Sequence, residues 1–239
     1  MKFIVLVGPA GSGKSTLAGE LSSHMESYGV STARVNFDPA VEKLLYEADV
    51  DVRDYVTVQE FMDKGLGPNG ALIAAVDSLI NYVSDIRRRI EDAGADYVIV
   101  DTPGQLELFA YRAGGPLVLD AITAGDPVVL VFLIDVTFFE NPASIVSGLA
   151  LASSVSLRLR KPQINIASKA DLLMKEVLEE IIPRLGEEGF LTGLLARDES
   201  IPGSLRELSM KISDAIYSSG YIGEIIPVSV TDPNMLSNL

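Results

Sequence analysis

Short apolar runs rich in β-branched residues recur along the chain, and stretches with helical spacing of apolar positions separate them. The six runs cover residues 3–7, 32–37, 97–100, 128–134, 163–167 and 225–230. Strands that alternate with helices form right-handed βαβ units, so this order predicts an α/β fold with a mostly parallel sheet and helices on both faces. Ligands bind such sheets beyond the carboxyl ends of the strands, which makes the residues after each strand the first candidates for chemistry.

Two segments in the first half of the chain lack this regular alternation. Acidic and β-branched residues over 46–57 predict an irregular loop next to the site. Glycines and a proline over 64–70 predict a rigid turn, followed by a long helix from Ala71 to about Ala93. On local chemistry alone, Asn69 is the N-cap of that helix.

Composition and charge narrow the classes of function. The chain has 239 residues, 48% hydrophobic and 22% charged, which predicts one folded domain over 1–239. Asp and Glu outnumber Lys and Arg by 33 to 19, so no strong nucleic-acid binding is expected. The absence of cysteine excludes disulfides and thiolate chemistry. We find no signal-peptide pattern and no apolar run long enough to span a bilayer, so we expect a cytoplasmic protein with no membrane association.

The first predicted strand leads into a glycine-rich segment that matches the pattern G-x-x-x-x-G-K-[ST] at each fixed position. Backbone N–H groups of such a loop surround a phosphate, and the positive end of the next helix faces it. Lys14 then reaches the β- and γ-phosphates, and Ser15 supplies a hydroxyl to Mg²⁺. The alternative is a turn that binds nothing, but the flanking strand and helix favour a nucleotide site. The predicted cradle consists of Gly8, Pro9, Ala10, Gly11, Ser12, Gly13, Lys14, Ser15 and Thr16.

The motif D-T-P-G-Q follows the third predicted strand. Asp101 is placed to bind Mg²⁺ through water, and Gly104 allows a backbone N–H to approach the γ-phosphate. Gln105 is placed to orient the attacking water. Glu107 either helps to hold that water or favours the first turn of the next helix.

The motif D-P-A follows the second predicted strand and leaves two interpretations open. The carboxylate of Asp38 either faces Mg²⁺ or the attacking water, or it caps a helix that starts near Ala40. Asp135, after the fourth strand, either acts electrostatically near the site or caps the next helix, and we favour the cap.

The motif S-K-A-D at 168–171 follows the fifth predicted strand and has the arrangement that recognises guanine. The stem of Lys169 can lie over a purine ring, and Asp171 accepts hydrogen bonds from guanine N1–H and N2–H₂, a donor pair that adenine lacks. Asp171 alternatively caps a helix that starts at Leu172. After the last strand, Ser229 and Val230 offer backbone N–H groups to guanine O6.

Taken in order, the motifs G-x-x-x-x-G-K-S, D-P-A, G-P-N, D-T-P-G-Q and S-K-A-D resemble those of the GPN-loop GTPases of archaea and eukaryotes, over residues 3–230. The tripeptide G-P-N at 67–69 is the most specific of them. The resemblance implies a P-loop NTPase fold with an insertion around 46–70 that carries this tripeptide. Ser168 stands where most GTPases have Asn, which leaves base specificity mainly to Asp171.

The same resemblance implies Mg²⁺-dependent hydrolysis of GTP to GDP by a homodimer. Asn69 then lies near the partner's phosphates and stabilises charge on the transferring group. Asp38, Gln105 and Glu107 lie near the hydrolytic water. Eukaryotic relatives are associated with RNA polymerase assembly, which implies transcription machinery as a partner and hydrolysis as a switch. The alternative is a P-loop kinase that transfers the γ-phosphate to a nucleoside or RNA acceptor.

Overall fold

A seven-stranded parallel sheet forms the centre of the protein in this computed structural model, which describes residues 1–220 and 224–239. All pairings between neighbouring strands are parallel, and the order across the sheet is β3-β2-β4-β1-β5-β6-β7. The α/β prediction with a mostly parallel sheet is therefore confirmed. The strands are β1 (Lys2–Val7), β2 (Thr32–Asn36), β3 (Val50–Asp51), β4 (Tyr97–Asp101), β5 (Val128–Ile134), β6 (Gln163–Ser168) and β7 (Ile225–Val228).

Helices cover both faces of this sheet, as predicted. Within the described residues they are α1 (Lys14–Ser27), α2 (Val58–Asp63), α3 (Pro68–Ser78), α4 (Val83–Asp92), α5 (Leu106–Ala110), α6 (Gly114–Ile122), α7 (Pro142–Leu159), α8 (Phe190–Arg197), α9 (Gly203–Ser218) and α10 (Pro233–Leu236). Short 3₁₀ turns lie at Val52–Asp54, Leu79–Tyr82, Val136–Phe139, Ala170–Leu172 and Ile182–Arg184, and a π-helical turn lies at Val177–Ile181.

Side chains of the strands pack alternately into two separate apolar cores, because successive residues of a strand point to opposite faces of the sheet. Leu6 and Val131 face the smaller core, where α1 and α10 pack. Val5 and Phe132 face the larger core, where α3, α4 and α6–α9 pack. Burial on both faces leaves the ends of the strands as the places where loops meet solvent.

One helix, α7, is long and apolar enough to qualify as a membrane span by length and composition alone, with a mean hydropathy of 1.3. Its Ile145, Leu149 and Ala152 are buried in the larger core. The core helix of a globular domain meets the same criteria, so the match carries little weight.

The prediction of an irregular loop over 46–57 is wrong in part. Edge strand β3 and a 3₁₀ turn lie within it, and Val50, Val52 and Val56 are buried. Only two residues of β3 pair with β2, which is too short a strand to leave an alternating pattern in the sequence.

The prediction of one long helix from Ala71 to about Ala93 is also wrong. A 3₁₀ turn at Leu79–Tyr82 separates α3 from α4. The side-chain amide of Asn81 donates to the carbonyl of Ser78 over 3.1 Å, and such local bonds compete with the helical ladder.

The predicted N-cap is displaced by two residues. Gly67 is the N-cap of α3, Pro68 is its first residue and Asn69 its second. Proline suits this first position because its missing N–H has no intrahelical partner there and its φ is already helical. The N-cap role for Asn69 is therefore wrong, and its side chain is exposed.

Candidate active site

The glycine-rich segment forms a loop between β1 and the first residue of α1. Gly11 and Gly13 have φ values of 76° and 95°, a left-handed conformation that side chains disfavour. Gly13 is the N-cap of α1, and no acidic side chain lies in the first turn of that helix. The free N–H groups and the positive end of the helix dipole are therefore available to an anion.

Lys14 is the buried cation of this loop, with 5% of its surface exposed. Its Nζ donates to the carbonyl oxygens of Gly8 and Pro9, both over 2.9 Å. Burial lowers the pKa of Lys14, and the nearby carboxylates of Asp101 and Asp38 partly oppose this effect. The ammonium group is thus held inside the loop, where a phosphate would sit.

Asp101 ends β4 beside this cation and is almost completely buried. Its Oδ2 accepts a hydrogen bond from the hydroxyl of Tyr46 over 3.2 Å. Its Oδ1 is buried without a hydrogen-bond partner among the described residues. Burial raises the pKa of Asp101 to about 6, although the Ser15 hydroxyl, the Lys14 ammonium and the Tyr46 hydroxyl each act to lower it.

Ser15 and Asp101 fit the requirements of a magnesium ion bound together with phosphates. A buried carboxylate oxygen without a partner is costly unless a cation or a metal-bound water satisfies it. Among the described residues, no group of three or more His, Cys, Asp or Glu side chains is arranged to hold a metal ion. This donor set suits Mg²⁺, which commonly binds through one or two protein groups and the substrate's phosphates.

Asp38 follows β2 and lies close to the end of β4. Its Oδ1 accepts from the backbone N–H of Ala40 over 2.8 Å, and its Oδ2 accepts from that of Gly104 over 3.3 Å. A turn, not a helix, follows at Ala40, so the predicted helix start is wrong. The second bond instead joins Asp38 to the backbone group that was predicted to approach the γ-phosphate.

Three other predicted site residues have exposed side chains. Gln105 precedes α5 and Glu107 lies in its first turn, and both side chains are exposed. Asn69 is exposed at the start of α3. Within the residues that the structure describes, none of the three has a side-chain hydrogen bond to the other predicted site residues.

The base-recognition motif comes together with the segment after β7. The Ser229 hydroxyl donates to Asp171 Oδ1 over 2.6 Å and also pairs with the Thr231 hydroxyl over 2.8 Å. Asp171 lies inside a 3₁₀ turn whose N-cap is Lys169, so the alternative in which Asp171 caps a helix is wrong. The Ser229 hydroxyl thus holds the Asp171 carboxylate, while the predicted bonds from the backbone N–H groups of Ser229 and Val230 to guanine O6 stay predictions.

A cavity of about 190 Å³ connects this motif with the phosphate loop. Both the predicted phosphate residues and the predicted base residues line it. Its lining comprises Ser12, Gly13, Thr16, Leu17, Leu133, Ile166, Ser168, Lys169, Asp171, Leu172, Val228, Val230 and Thr231.

Lys169 crosses from the base motif to the phosphate loop. Its Nζ pairs with Asp135 Oδ2 over 2.7 Å, and its Cε would lie 3.9 Å from a Cβ built on Gly13. Asp135 also caps the 3₁₀ turn at Val136–Phe139 by accepting from the N–H of Thr137, which confirms the favoured cap. Burial acts to raise the pKa of Asp135, but the hydrogen bonds from Lys169 and Thr137 hold it below its ordinary value.

Ser168 closes the end of β6 against β5. Its hydroxyl donates to the carbonyl oxygen of Ile134 over 3.2 Å, and the side chain is buried. The position at which Asn is usual in GTPases is thus used here to join two strand ends.

Comparison with known proteins gives consistent matches along the chain. A family described as "conserved hypothetical ATP binding protein" matches residues 6–239. A GPN-loop GTPase of Pyrococcus abyssi is 35% identical over 202 residues, which cover 84% of this chain and 80% of that one. GPN-loop GTPase 3 of Kluyveromyces lactis is 30% identical over 240 residues, which cover 99% of this chain and 88% of that one. The chain belongs to the GPN-loop GTPase family.

A solved structure of this family has the same fold. The crystal structure of a GTPase in apo form from Pyrococcus abyssi matches with a TM-score of 0.86 and 30% identity, over 99% of this chain and 94% of that one. The predictions of a P-loop NTPase fold and of GPN-loop family membership are therefore confirmed.

Several residues that contact the site of this GPN-loop GTPase could not be identified from sequence patterns. Tyr46 and Thr231 belong to segments without a motif. Thr231 is a sequence neighbour of Ser229, but only the fold brings Tyr46 to Asp101. The rule that functional residues follow strands does point to Asp135, but nothing in its local sequence indicates its bond to Lys169.

The raised pKa of Asp101 predicts a pH-dependent cost to stability. The pKa of Asp101 is about 6 in the folded state and 3.8, its ordinary value, in the unfolded state, so the folded state binds the proton more tightly. The stability that this proton contributes is therefore lost as pH rises through about 6. Asp101→Asn keeps the shape without the charge. Between pH 5 and pH 8, we expect the free energy of unfolding of the variant to increase by about 1 kcal/mol relative to that of the parent chain. Urea unfolding in EDTA without nucleotide measures it.

Asp92→Asn is the matched control, because Asp92 is an exposed residue at the end of α4. The same difference between pH 5 and pH 8 in both variants would show that general charge, and not the burial of Asp101, is responsible.

Proposed function

We propose that this chain is a Mg²⁺-dependent GTP hydrolase that acts as a homodimeric, nucleotide-gated switch or assembly factor. One observation carries the proposal: Gly13 and Thr16 of the phosphate loop line the same cavity as Lys169 and Asp171 of the base motif. Names of relatives such as GPN-loop GTPase 3 support GTP as the substrate. The proposal assigns guanine to the Asp171 end and the phosphates to the Lys14 end.

The chemistry requires stabilisation of negative charge on the phosphates. Water attacks the γ-phosphorus, the bond to the β-phosphate oxygen breaks, and GDP and inorganic phosphate leave. Lys14 and the backbone N–H groups of the loop stabilise the charge that develops on the transferring group. Lys14 gives up its bonds to the carbonyls of Gly8 and Pro9 when it turns to the phosphates.

Ser15 and Asp101 are the proposed magnesium residues. The Ser15 hydroxyl would bind the ion directly, and the unpartnered Oδ1 of Asp101 would accept from a water of its shell. The ion neutralises charge on the β- and γ-phosphates when it is bound.

The proposed water-positioning residues are Asp38, Gln105 and Glu107. The bond that Asp38 accepts from the Gly104 N–H supports this assignment, because the same N–H is proposed to approach the γ-phosphate. Gln105 is the N-cap of α5, and Glu107 lies in the first turn of that helix. Their exposed side chains are free to turn toward a water.

The homodimer supplies Asn69 from the partner chain in this proposal. The exposed side chain of Asn69, at the start of α3, supports action between chains, because it has no hydrogen-bonded role within the described part of its own chain. Such a residue would stabilise phosphoryl charge as an arginine finger does elsewhere. Opening and closing of the dimer would then couple hydrolysis to a protein partner, such as the transcription machinery.

Base recognition by Asp171 predicts a strong preference for guanine nucleotides. We expect GDP to bind more tightly than ADP by roughly a hundredfold, or about 2.7 kcal/mol. Calorimetric titration of the purified protein with GDP and with ADP measures the difference. Comparable affinities for GDP and ADP would refute guanine recognition and would favour the interpretation as a kinase or a general NTPase.

Asp171→Asn gives a sharper form of this test. The amide donates where the carboxylate accepted, so affinity should move from GDP to xanthosine diphosphate, whose C2 carbonyl is an acceptor. A variant that loses both ligands equally has lost the pocket rather than its specificity, and thermal unfolding of the variant detects that case.

Removal of the proposed water-positioning groups should slow hydrolysis without weakening binding. We expect Asp38→Ala and Gln105→Ala each to lower turnover at saturating GTP by roughly tenfold or more, with little change in GDP affinity. Phosphate release measures turnover, and Asp92→Ala is an exposed control on α4. Unchanged turnover in both variants would contradict the assignment.

Action of Asn69 between chains predicts complementation in mixed dimers. Asn69→Ala and Lys14→Ala should each be nearly inactive alone. Their mixture should regain activity, because one of its two sites combines an intact Lys14 with an intact Asn69 from the partner. Native mass spectrometry first shows that mixed dimers have formed, and phosphate release then measures their activity. If such dimers regain no activity, Asn69 acts in the site of its own subunit.

A further inference from the structure

Tyr46 contacts the active site although no motif includes it. It lies in the segment between Asp38 and β3, and its hydroxyl donates to Oδ2 of Asp101 over 3.2 Å. The other oxygen of that carboxylate, Oδ1, is buried without a partner among the described residues. The two oxygens of Asp101 are therefore in different situations: Oδ2 has the Tyr46 hydroxyl as a partner, and Oδ1 has none among the described residues.

Close packing on α1 fixes the position of Tyr46. A Cβ built on Gly19 of that helix would lie 3.1 Å from the Cβ of Tyr46, a closer approach than most Cβ contacts, so the backbone of α1 packs tightly against Tyr46. The side chain is thus held between the helix that follows the phosphate loop and the end of β4.

An arginine anchors the other part of the same segment. The guanidinium of Arg53 donates to the carbonyl oxygens of Val41 and Glu42 over 3.0 and 3.3 Å. It also pairs with Asp51 over 2.6 Å, and Asn36 donates to that carboxylate over 2.9 Å. The backbone on the N-terminal side of Tyr46 is therefore tied to β2 and β3.

We infer that Tyr46 is a positioning residue that holds Oδ2 of Asp101 and thereby presents Oδ1 to the magnesium shell. A carboxylate otherwise exchanges its two oxygens by rotation about its last torsion, which is broad. The Tyr46 hydroxyl removes that freedom and leaves one acceptor directed at the ion's water. This inference rests on the proposed Mg²⁺-dependent function and adds a residue to it.

Tyr46→Phe tests the inference because it removes the hydroxyl and keeps the ring against Gly19. We expect the Mg²⁺ concentration that half-saturates the enhancement of GDP binding to rise about fivefold, the worth of one hydrogen bond. GDP affinity in EDTA should not change, because the phosphate loop and Asp171 remain intact. In hydrolysis, the Mg²⁺ requirement should rise by a similar factor while turnover at saturating Mg²⁺ stays near that of the parent chain.

Tyr28→Phe is the matched control, since Tyr28 is 72% exposed on the far end of α1. Gly19→Ala is an independent probe: the added methyl displaces Tyr46 without removing its hydroxyl, and alanine favours the helix. We expect Gly19→Ala also to raise the Mg²⁺ requirement.

The outcomes separate this inference from the function on which it rests. A parent chain whose GDP binding ignores Mg²⁺ would refute the metal dependence of the proposed function. A parent chain that responds to Mg²⁺, together with a Tyr46→Phe variant that responds at the same concentration, would overturn only the role of Tyr46.

Discussion

Burial of opposite charges between the phosphate loop and the end of β4 constrains the rest of the site. Lys14 and Asp101 are 5% and 2% exposed, so both charges are largely removed from solvent. Lys14 is satisfied by two carbonyls of its own loop, which is possible only because glycines let that loop fold back on the side chain. Asp101 is satisfied on one oxygen only. The folded protein thus bears an uncompensated electrostatic cost at the point where a phosphate and a cation would relieve it.

The parallel sheet explains how distant segments meet around these charges. Strands β1 and β4 are neighbours, so the phosphate loop and Asp101 emerge side by side. Strands β5, β6 and β7 follow in order on the other side, which brings Asp135, Lys169 and Ser229 to the same edge. Lys169 links the two halves, because its stem passes the phosphate loop on the way to Asp135. A ligand that spans the cavity therefore contacts the phosphate loop after β1 and the carboxyl ends of β5, β6 and β7.

Features encoded within a short window could be predicted from the sequence. The phosphate loop, Asp101 and Asp171 each sit at the end of an apolar run, so their place at the carboxyl edge followed from the strand pattern. Tyr46 and the bond from Ser229 to Asp171 could not be predicted, because each depends on a partner 55 or 58 residues away that only the fold brings near. The prediction of one long helix over α3 and α4 failed for a different, local reason: a 3₁₀ turn interrupts it, and there the Asn81 amide donates to the Ser78 carbonyl in competition with the helical ladder.

The segment between β2 and β3 touches the end of β4 and the residues just after it at two points, which constrain its position. Asp38 bonds to the Gly104 N–H near its start, and Tyr46 bonds to Asp101 near its end. Between them the chain turns outward, where Leu45 is 68% exposed. Arg53 fixes the backbone of Val41 and Glu42 within that span. Both ends of the span thus contact residues 101–104, at the end of β4 and directly after it. The same short stretch of chain therefore holds the proposed water-positioning carboxylate and the proposed metal-positioning hydroxyl, although their side chains share no direct hydrogen bond among the described contacts.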